Sequence, residues 1–284
     1  MTTDFKLGGD LPIHRLGFGA MRLPTGTFRG PARDPELGRR VLRRAIELGV
    51  NHIDTAALYA SSDGRVRANV LIREALHPYP AGLVIATKVG PVRASNGALR
   101  AGRANELRAD IEGNLETLGL ARLELVYLRI GHDLDVPHGE SLGERFEVLA
   151  KLREEGLIRH LGVSNVDAKQ LAEARAIAPV AAVQNNFHLA NRDETAVLDA
   201  CIAHGIAFAP FFPLGGGMTK LDGARSAAVA ARLGKTTSQV ALAWLLALAP
   251  LTLAIPGTGS LAHLEENVAA GAIALTPKDL AELG

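Results

Sequence analysis

The 284-residue chain has almost no net charge: 31 basic side chains against 30 acidic ones leave a formal +1 at pH 7. With no field of one sign to gather nucleic acid or an anionic membrane, the expected partner is a small molecule. There is a single cysteine, Cys201, so an internal disulfide is excluded. There is no membrane-length apolar run either. The longest, Val240 to Pro256, is interrupted by Pro250 and falls short of the roughly 20 residues a spanning helix needs. The opening MTTDFKLGGD lacks the apolar centre of a secretory leader, and the expected compartment is the cytoplasm. The Gly-rich turn of a dinucleotide-binding open sheet is also missing: Gly17-Phe18-Gly19 is followed by Ala20-Met21-Arg22, and no helix begins there. No internal repeat, low-complexity tract or interdomain linker is visible, so residues 1–284 read as one domain.

What the chain does have is 48% apolar residues, ample for a large core, in a regular alternation of strand and helix. Phe5-Lys6-Leu7, the turn Gly8-Gly9-Asp10 and Leu11-Pro12-Ile13 read as a short hairpin, and Arg15 to Ala20 as a first strand. Asp34-Pro35-Glu36 opens a helix with a capping residue, a proline in the first turn and an acid; Gly49 stops it. Strands at 50–54, 83–88, 123–130, 158–163, 181–184, 206–209 and 253–255 come next, with helices between them. Ser141 with Glu144, and Thr236 with Gln239, have the spacing of capping boxes. Alternating units of this kind predict a parallel sheet closed into an α/β (β/α)8 TIM barrel behind a short N-terminal β-hairpin, with an open doubly wound sheet as the alternative.

The stretch GVNHIDTAALY, Gly49 to Tyr59, ends its strand on Asp54 and offers Tyr59 five residues later. Barrel enzymes keep their chemistry at that edge of the strands. Side-chain alternation puts Asp54 on the face of His52, and Lys88 on the face of Ala86 and Val84. If those faces line the barrel, Asp54 and Lys88 end neighbouring strands and Tyr59 hangs over them. A phenol with an ordinary pKa of about 10 is a poor acid at neutral pH, but an adjacent ammonium favours the phenolate. Such a trio suits proton donation to an oxygen that becomes negative as a carbonyl is reduced, with the hydride supplied by a cofactor. The plainer alternative is a structural ion pair beside a surface aromatic, and spacing alone leaves both open.

GVNHIDTAALY, the ATKVG around Lys88, LGVSN (Leu161 to Asn165), VQNNF (Val183 to Phe187), FFPLGGG (Phe211 to Gly217) and IPGTGSLAHLEEN (Ile255 to Asn267) occur in this order over nearly the whole chain. Together they resemble the successive signatures of the aldo-keto reductases. FFPLGGG, IPGTGSLAHLEEN and the LRI of the fourth strand are most similar to bacterial members assigned as pyridoxal reductases (pyridoxine 4-dehydrogenases). The resemblance implies NADPH-dependent reduction of an aldehyde or ketone, with Tyr59 as proton donor, Lys88 as its activating neighbour and Asp54 as the orienter of Lys88. The family's fourth catalytic residue is a histidine closing the fourth strand, which hydrogen-bonds the substrate carbonyl. Here Arg129 stands in that place, with Tyr127 on the same face. Arginine can donate hydrogen bonds to a carbonyl or a phosphate, but it is larger and stays charged.

For the cofactor, the resemblance implies Ser164, Asn165 and Gln184 around the nicotinamide carboxamide, Phe211 stacked on the ring, and the backbone of Leu214, Gly215 and Gly217 against the pyrophosphate. An ordinary glycine turn is the plainer reading of the last three. The adenosine end falls on Gly257, Thr258, Ser260 and His263, at a helix start suited to phosphate, with Glu266 and Asn267 matching the pair that grips adenine. Many members carry Lys and Arg for the 2′-phosphate where this chain has Gly257 and His263. Thr258, Ser260 and His263 remain to bind it by neutral hydrogen bonds, and NADPH is expected over NADH.

His132-Asp133-Leu134-Asp135-Val136-Pro137-His138 crowds possible metal ligands, but it reads as a loop over the barrel mouth that shapes substrate entry, and no metal is expected. Cys201 reads as buried filler and His52 as a hydrogen-bonded interior group. Two other classes of function stay open. One is a nicotinamide-cofactor-sensing binding protein with little turnover, favoured by the lost histidine and opposed by the intact Asp54, Tyr59 and Lys88. The other is a lyase using Lys88 as a Schiff base. The oligomeric state is not legible.

Overall fold

A computed structural model describes residues 5–27, 30–94, 98–221 and 223–284. The chain begins with the expected hairpin, β1 (Phe5–Leu7) antiparallel to β2 (Leu11–Ile13) with Phe5 opposite Ile13. Its turn runs through Gly8 and Gly9 at φ of +63° and +89°, a region that side chains disfavour. Leu7, Leu11 and Ile13 are buried against Val84, Ala86, Leu125 and Tyr127, so the hairpin plugs the bottom of the barrel.

The alternation then proceeds through β3 (Phe18–Gly19), α1 (Pro35–Glu47), β4 (His52–Asp54), α2 (Ala68–Leu76) and β5 (Val84–Val89). A second hairpin comes next, β6 (Pro91–Arg93) with β7 (Leu99–Ala101), before α3 (Leu107–Leu118), β8 (Leu123–Arg129), α4 (Gly143–Glu154) and β9 (Ile158–Ser164). The remainder is α5 (Ala168–Ile177), β10 (Val180–Gln184), α6 (Thr195–His204), β11 (Ala207–Phe208), α7 (Ala224–Leu233), α8 (Thr237–Ala247), α9 (Leu261–Ala269) and α10 (Pro277–Leu283). None of the described helices is long and apolar enough to cross a membrane.

The core sheet has the order β11-β10-β9-β8-β5-β4-β3, with every neighbouring pair parallel. The stretch expected as the last strand, 253–255, forms isolated bridges instead of a regular strand: Leu16 with Ala254 and Phe208 with Thr252. Gly17 N donates to Ala254 O at 2.8 Å and Leu253 N to Phe208 O at 2.8 Å. That segment therefore joins the first stave to the seventh and closes the barrel. Successive strand residues point to opposite faces, and the buried side chains divide accordingly. Val84, Ala86, Leu125, Tyr127, Ala182, Ala207 and Leu253 fill the interior. Ile53, Ile85, Val126, Leu128, Leu161, Val163 and Val183 pack outward, under the helices. Tyr127, fully buried, fits only because Gly162 lies beside it: a Cβ there would come within 2.6 Å of Tyr127 Cδ1 and 2.7 Å of Ala182 O.

Three local expectations came out differently. Ser141 and Glu144 do not form a capping box; α4 begins at Gly143 with no side-chain cap from Leu142. Ser141 Oγ donates to Glu173 of α5, and that carboxylate accepts Leu142 N at 3.2 Å and Gly143 N at 3.1 Å. An acid from the next helix thus complements the positive end of α4 better than a local hydroxyl would. The hairpin β6–β7 was not anticipated at all. His52 is buried, but neither ring nitrogen has a hydrogen-bond partner among the described residues, because its interior layer is built largely of apolar side chains. Elsewhere the caps form as spaced, Thr236 Oγ1 accepting Gln239 N and Gln239 Oε1 accepting Thr236 N, each at 3.2 Å.

Gly162→Ala should overpack the interior and lower stability by about 1–3 kcal/mol, read from the urea midpoint; an unchanged midpoint would mean that Tyr127 has room to move. Burial holds the His52 pKa down at about 4 from an ordinary 6.5, with Lys88 adding to burial and Asp54 opposing it. The unfolded chain takes up this proton first, so folding stability falls as pH drops from 6.5 toward 4. His52→Gln should flatten that acid limb by up to about 3 kcal/mol in urea titrations at stepped pH. An identical acid slope in the variant would assign the limb to other groups.

Candidate active site

The register of the first strands sets the chemistry. Asp54 on β4 pairs with Ala86 on β5, which places Lys88 one inward position beyond it, opposite Tyr127 of β8. Thr55 N donates to Ala86 O at 2.8 Å and prolongs that ladder by a residue. Lys88 Nζ donates to Asp54 Oδ1 at 2.5 Å and to Thr55 O at 3.1 Å, and lies 5.1 Å from the centroid of the Tyr59 ring. The two charged side chains are only 7% and 5% exposed. Burial works to lower the Lys88 pKa, but the Asp54 carboxylate and the Tyr59 phenol outweigh it and the net shift is upward. The amine stays an ammonium, which argues against a Schiff-base role, since that needs the free base.

Asp54 is itself held from two sides, because its Oδ2 accepts Gln184 Nε2 at 2.9 Å across the barrel. The sequence suggested Gln184 only as a cofactor ligand; the link to Asp54 depends on barrel closure and has no local signature. Tyr59 is tied through its backbone, its N–H donating to Ala56 O at 3.0 Å and its carbonyl accepting Ala68 N at 2.9 Å at the start of α2. Its ring lines two adjoining cavities and is no surface aromatic.

The first cavity is walled by Leu58, Leu99, Leu134, Phe211 and Phe212, with Lys88, Arg129 and Gln184 also in its lining. Leu99 comes from the unanticipated hairpin β6–β7, and His132 and Leu134 from the loop expected over the barrel mouth. Both histidines of that loop face a carboxylate, His132 that of Asp133 at 3.5 Å and His138 that of Asp167, the cap of α5, at 3.0 Å. Cys201 is buried in α6, and burial pushes its thiol up to about 12, away from nucleophilic use.

The second cavity runs between Gly19 and Arg22 on one side and Leu214, Gly216 and Gly217 on the other, with Pro256 and Gly257 at its end. Gly215, Gly216 and Gly217 have φ of +73°, +63° and +78°, and a Cβ on Gly216 would come within 2.8 Å of the Phe212 ring. Gly215, expected against a pyrophosphate, is buried behind this surface, and Gly216 takes the lining position. A Cβ on Gly257 would meet Gly19 O at 2.5 Å, so a lysine has no room there. Arg22 was missed by the sequence reading. Its guanidinium spans the cleft to donate to Gly216 O, and the only local hint is its place just after the first strand.

The groups expected around a nicotinamide lie close to one another. Ser164 ends β9 and Gln184 ends β10, paired in register. Asn165, at φ +60°, is fully buried and gives its Nδ2 to Ile130 O at 3.1 Å and Asp135 O at 2.8 Å. Asn165 Oδ1 and Gln184 Oε1 are buried acceptors with no partner among the described residues. Of this group only Gln184 lines a cavity, the first; Ser164 and Asn165 line neither. Arg129 crowds this corner: it donates to Ser164 Oγ at 3.3 Å and to Asp133 O at 2.7 Å, and its guanidinium lies 4.8 Å over the Phe211 ring. Burial lowers its pKa, against the pull of Tyr59 and Asp133. At the far end, Ser260 caps α9 by accepting His263 N at 3.4 Å, and Thr258 Oγ1 accepts Ser260 N at 3.1 Å. Glu266 accepts the Thr236 hydroxyl and packs α9 on α8, and Asn267 is buried. None of Thr258, Ser260, His263, Glu266 and Asn267 lines either cavity.

A model of the aldo/keto reductase family matches residues 15–284. Pyridoxine 4-dehydrogenase of Escherichia coli is 45% identical over 280 residues, covering 97% of this chain and 95% of the relative. An uncharacterized oxidoreductase of Schizosaccharomyces pombe is 40% identical over 278 residues, 97% of this chain and 87% of its own. Among solved structures, an aldo-keto reductase from Klebsiella pneumoniae in complex with NADPH superposes with a TM-score of 0.80 at 27% identity, over 100% of this chain and 94% of that one. Asp54→Ala would leave Lys88 buried without a counter-charge and Gln184 Nε2 without an acceptor. It should cost on the order of 3–5 kcal/mol in urea unfolding; a loss well under ~1 kcal/mol would show that the pair is hydrated.

Proposed function

Since this chain belongs to the aldo/keto reductase family, we propose that it is an NADPH-dependent oxidoreductase that reduces an aldehyde to an alcohol, with pyridoxal as substrate and pyridoxine as product. The observation that carries the reading is the Lys88 ammonium, pinned to Asp54 at 2.5 Å and set beside Tyr59 where two cavities meet. The E. coli relative, named as a pyridoxine 4-dehydrogenase, and the NADPH carried by the K. pneumoniae neighbour support it.

The bound dinucleotide supplies the hydride. The second cavity, with its positive-φ glycines and the Arg22 strap, suits a pyrophosphate, and Gln184 Oε1, on the lining of the first and without a partner among the described residues, suits a carboxamide N–H. In the first cavity Tyr59 donates its proton to the carbonyl oxygen as negative charge develops there. Lys88 stabilises the phenolate left behind, and Asp54, braced by Gln184, keeps Lys88 charged and in place. Arg129, in the place of the family histidine, supplies donors near the same oxygen.

A second reading is favoured by Arg129 alone, whose contacts with Ser164 and Phe211 occupy surfaces assigned to the nicotinamide: a protein that binds the cofactor and reports on it with little turnover. Following reduced-nicotinamide absorbance with pyridoxal and a panel of aldehydes separates the two, since NADPH binding without oxidation across the panel supports the sensor. Tyr59→Phe should lower kcat by about 10²–10⁴ while NADPH binding stays nearly intact. Retention of most of the activity would remove Tyr59 as the proton donor.

A further inference from the structure

Two arginines stand together beside the second cavity, and neither has a carboxylate within ion-pair distance among the described residues. Arg22 gives its donors to Gly216 O and, at 3.3 Å, to Gly26 O. Arg33 lies in the segment before α1, its backbone N–H on Pro24 O at 2.9 Å. Only its Nη1 is engaged, on the neutral carbonyl of Arg22 at 3.3 Å. The acids next along the chain are committed elsewhere: Asp34 accepts Glu36 N at 2.9 Å, and Glu36 pairs with Arg39 at 2.9 Å. Burial and then the charge of Arg33 lower the Arg22 pKa, so the two guanidinium groups repel. An anion beside them relieves that repulsion.

The place of Arg33 decides which anion. Its guanidinium rests directly on Gly259, where a Cβ would come within 2.6 Å of Arg33 Cζ. Gly259 follows by two residues the Gly257 that ends the second cavity, so a dinucleotide with its pyrophosphate in that cavity runs out past Arg33. The acids that follow Gly259 are also occupied, Glu265 by Arg44 at 2.8 Å and Glu266 by the Thr236 hydroxyl. Thr258 and Ser260, on either side of Gly259, each accept one backbone N–H, at 3.1 and 3.4 Å, and keep a hydroxyl proton to give. Neutral hydroxyls alone do not balance a phosphomonoester, which carries about two negative charges at neutral pH. A lysine has no room at Gly257, and position 263 is a histidine.

We infer that Arg33 recognises the 2′-phosphate of NADPH, supplying from the segment before α1 the charge that positions 257 and 263 lack, and so sets the preference for NADPH over NADH. Arg22 serves the pyrophosphate that both cofactors share. The inference rests on the reductase reading and names the residue by which that site tells its cofactor apart. Arginine suits the task because its planar fork meets two phosphate oxygens at once.

The test measures dissociation constants of NADPH and NADH by nicotinamide fluorescence, and of 2′,5′-ADP and 5′-AMP as competitors, for the parent protein, Arg33→Met, Arg33→Lys and Arg22→Met. The parent should bind NADPH at least about tenfold more tightly than NADH. Arg33→Met should weaken NADPH by about 10- to 100-fold, the loss expected for a charge-assisted hydrogen bond, and NADH by less than about twofold. Arg33→Lys should keep part of the preference, and Arg22→Met should weaken both cofactors alike. A parent that binds the two alike, or a preference that survives in Arg33→Met, overturns the inference and leaves the reductase function standing. Equal losses of NADPH and NADH in Arg33→Met put this arginine on the pyrophosphate and overturn it as well. Should Arg33→Met fail to fold, Arg33→Lys decides, since it must weaken 2′,5′-ADP and leave 5′-AMP unchanged. Failure of the parent to bind either dinucleotide overturns the reductase reading, and the inference with it.

Discussion

The ion pair between Lys88 and Asp54 is the constraint around which the mouth of this barrel is arranged. A buried ammonium is tolerated only with a counter-charge and with its remaining protons bonded, and here Asp54 and the carbonyl of Thr55 meet both needs. The same carboxylate is bonded from β10 by Gln184, so the pair cannot shift without disturbing opposite walls of the barrel. Fixing Asp54 in this way fixes Lys88, and Lys88 fixes the charge that Tyr59 feels. The site is thereby set before any substrate arrives, as electrostatic catalysis requires.

The barrel beneath is built to leave that layer undisturbed. Its interior is filled by small and medium side chains around one large one, Tyr127, with Gly162 making the space. The bottom is sealed by the hairpin, and His52 sits in the dry interior as a neutral ring. The top is open along two connected clefts of unlike chemistry: one edged by backbone, glycine and a crossing arginine, the other by apolar and aromatic walls around the Arg129 guanidinium. Arg129, in the place of the family histidine, lines the apolar one.

Much of this was legible in the chain itself. The period-two pattern of the strands fixes which residues share a face, so Asp54 and Lys88 could be set on the inward faces of neighbouring strands without coordinates, and the caps at Asp34 and Thr236 follow from local hydrogen-bond chemistry. The capping box of Ser141 and Glu144 did not form: Ser141 Oγ still accepts Gly143 N at 3.2 Å, but a carboxylate from another helix, invisible to a local reading, shares these amides. The irregular last stave and the hairpin β6–β7 were misread or missed for a related reason. Their pairing partners are distant in sequence, or their strands are three residues long and carry no periodicity to detect.

By itself, then, the sequence determined the alternation of strands and helices, the inward faces of Asp54 and Lys88 and the glycine run, since each depends on spacing within one element or on residue type at one turn. Closure of the barrel decided the rest. It brought Gln184 to Asp54 across 130 positions of chain and Arg22 to Gly216 across 194. It laid Arg129 on Phe211 rather than in free space, and it buried His52 with no hydrogen-bond partner among the described residues. Such contacts are set by the register and curvature of parallel strands, and those are fixed only when all the staves pack at once.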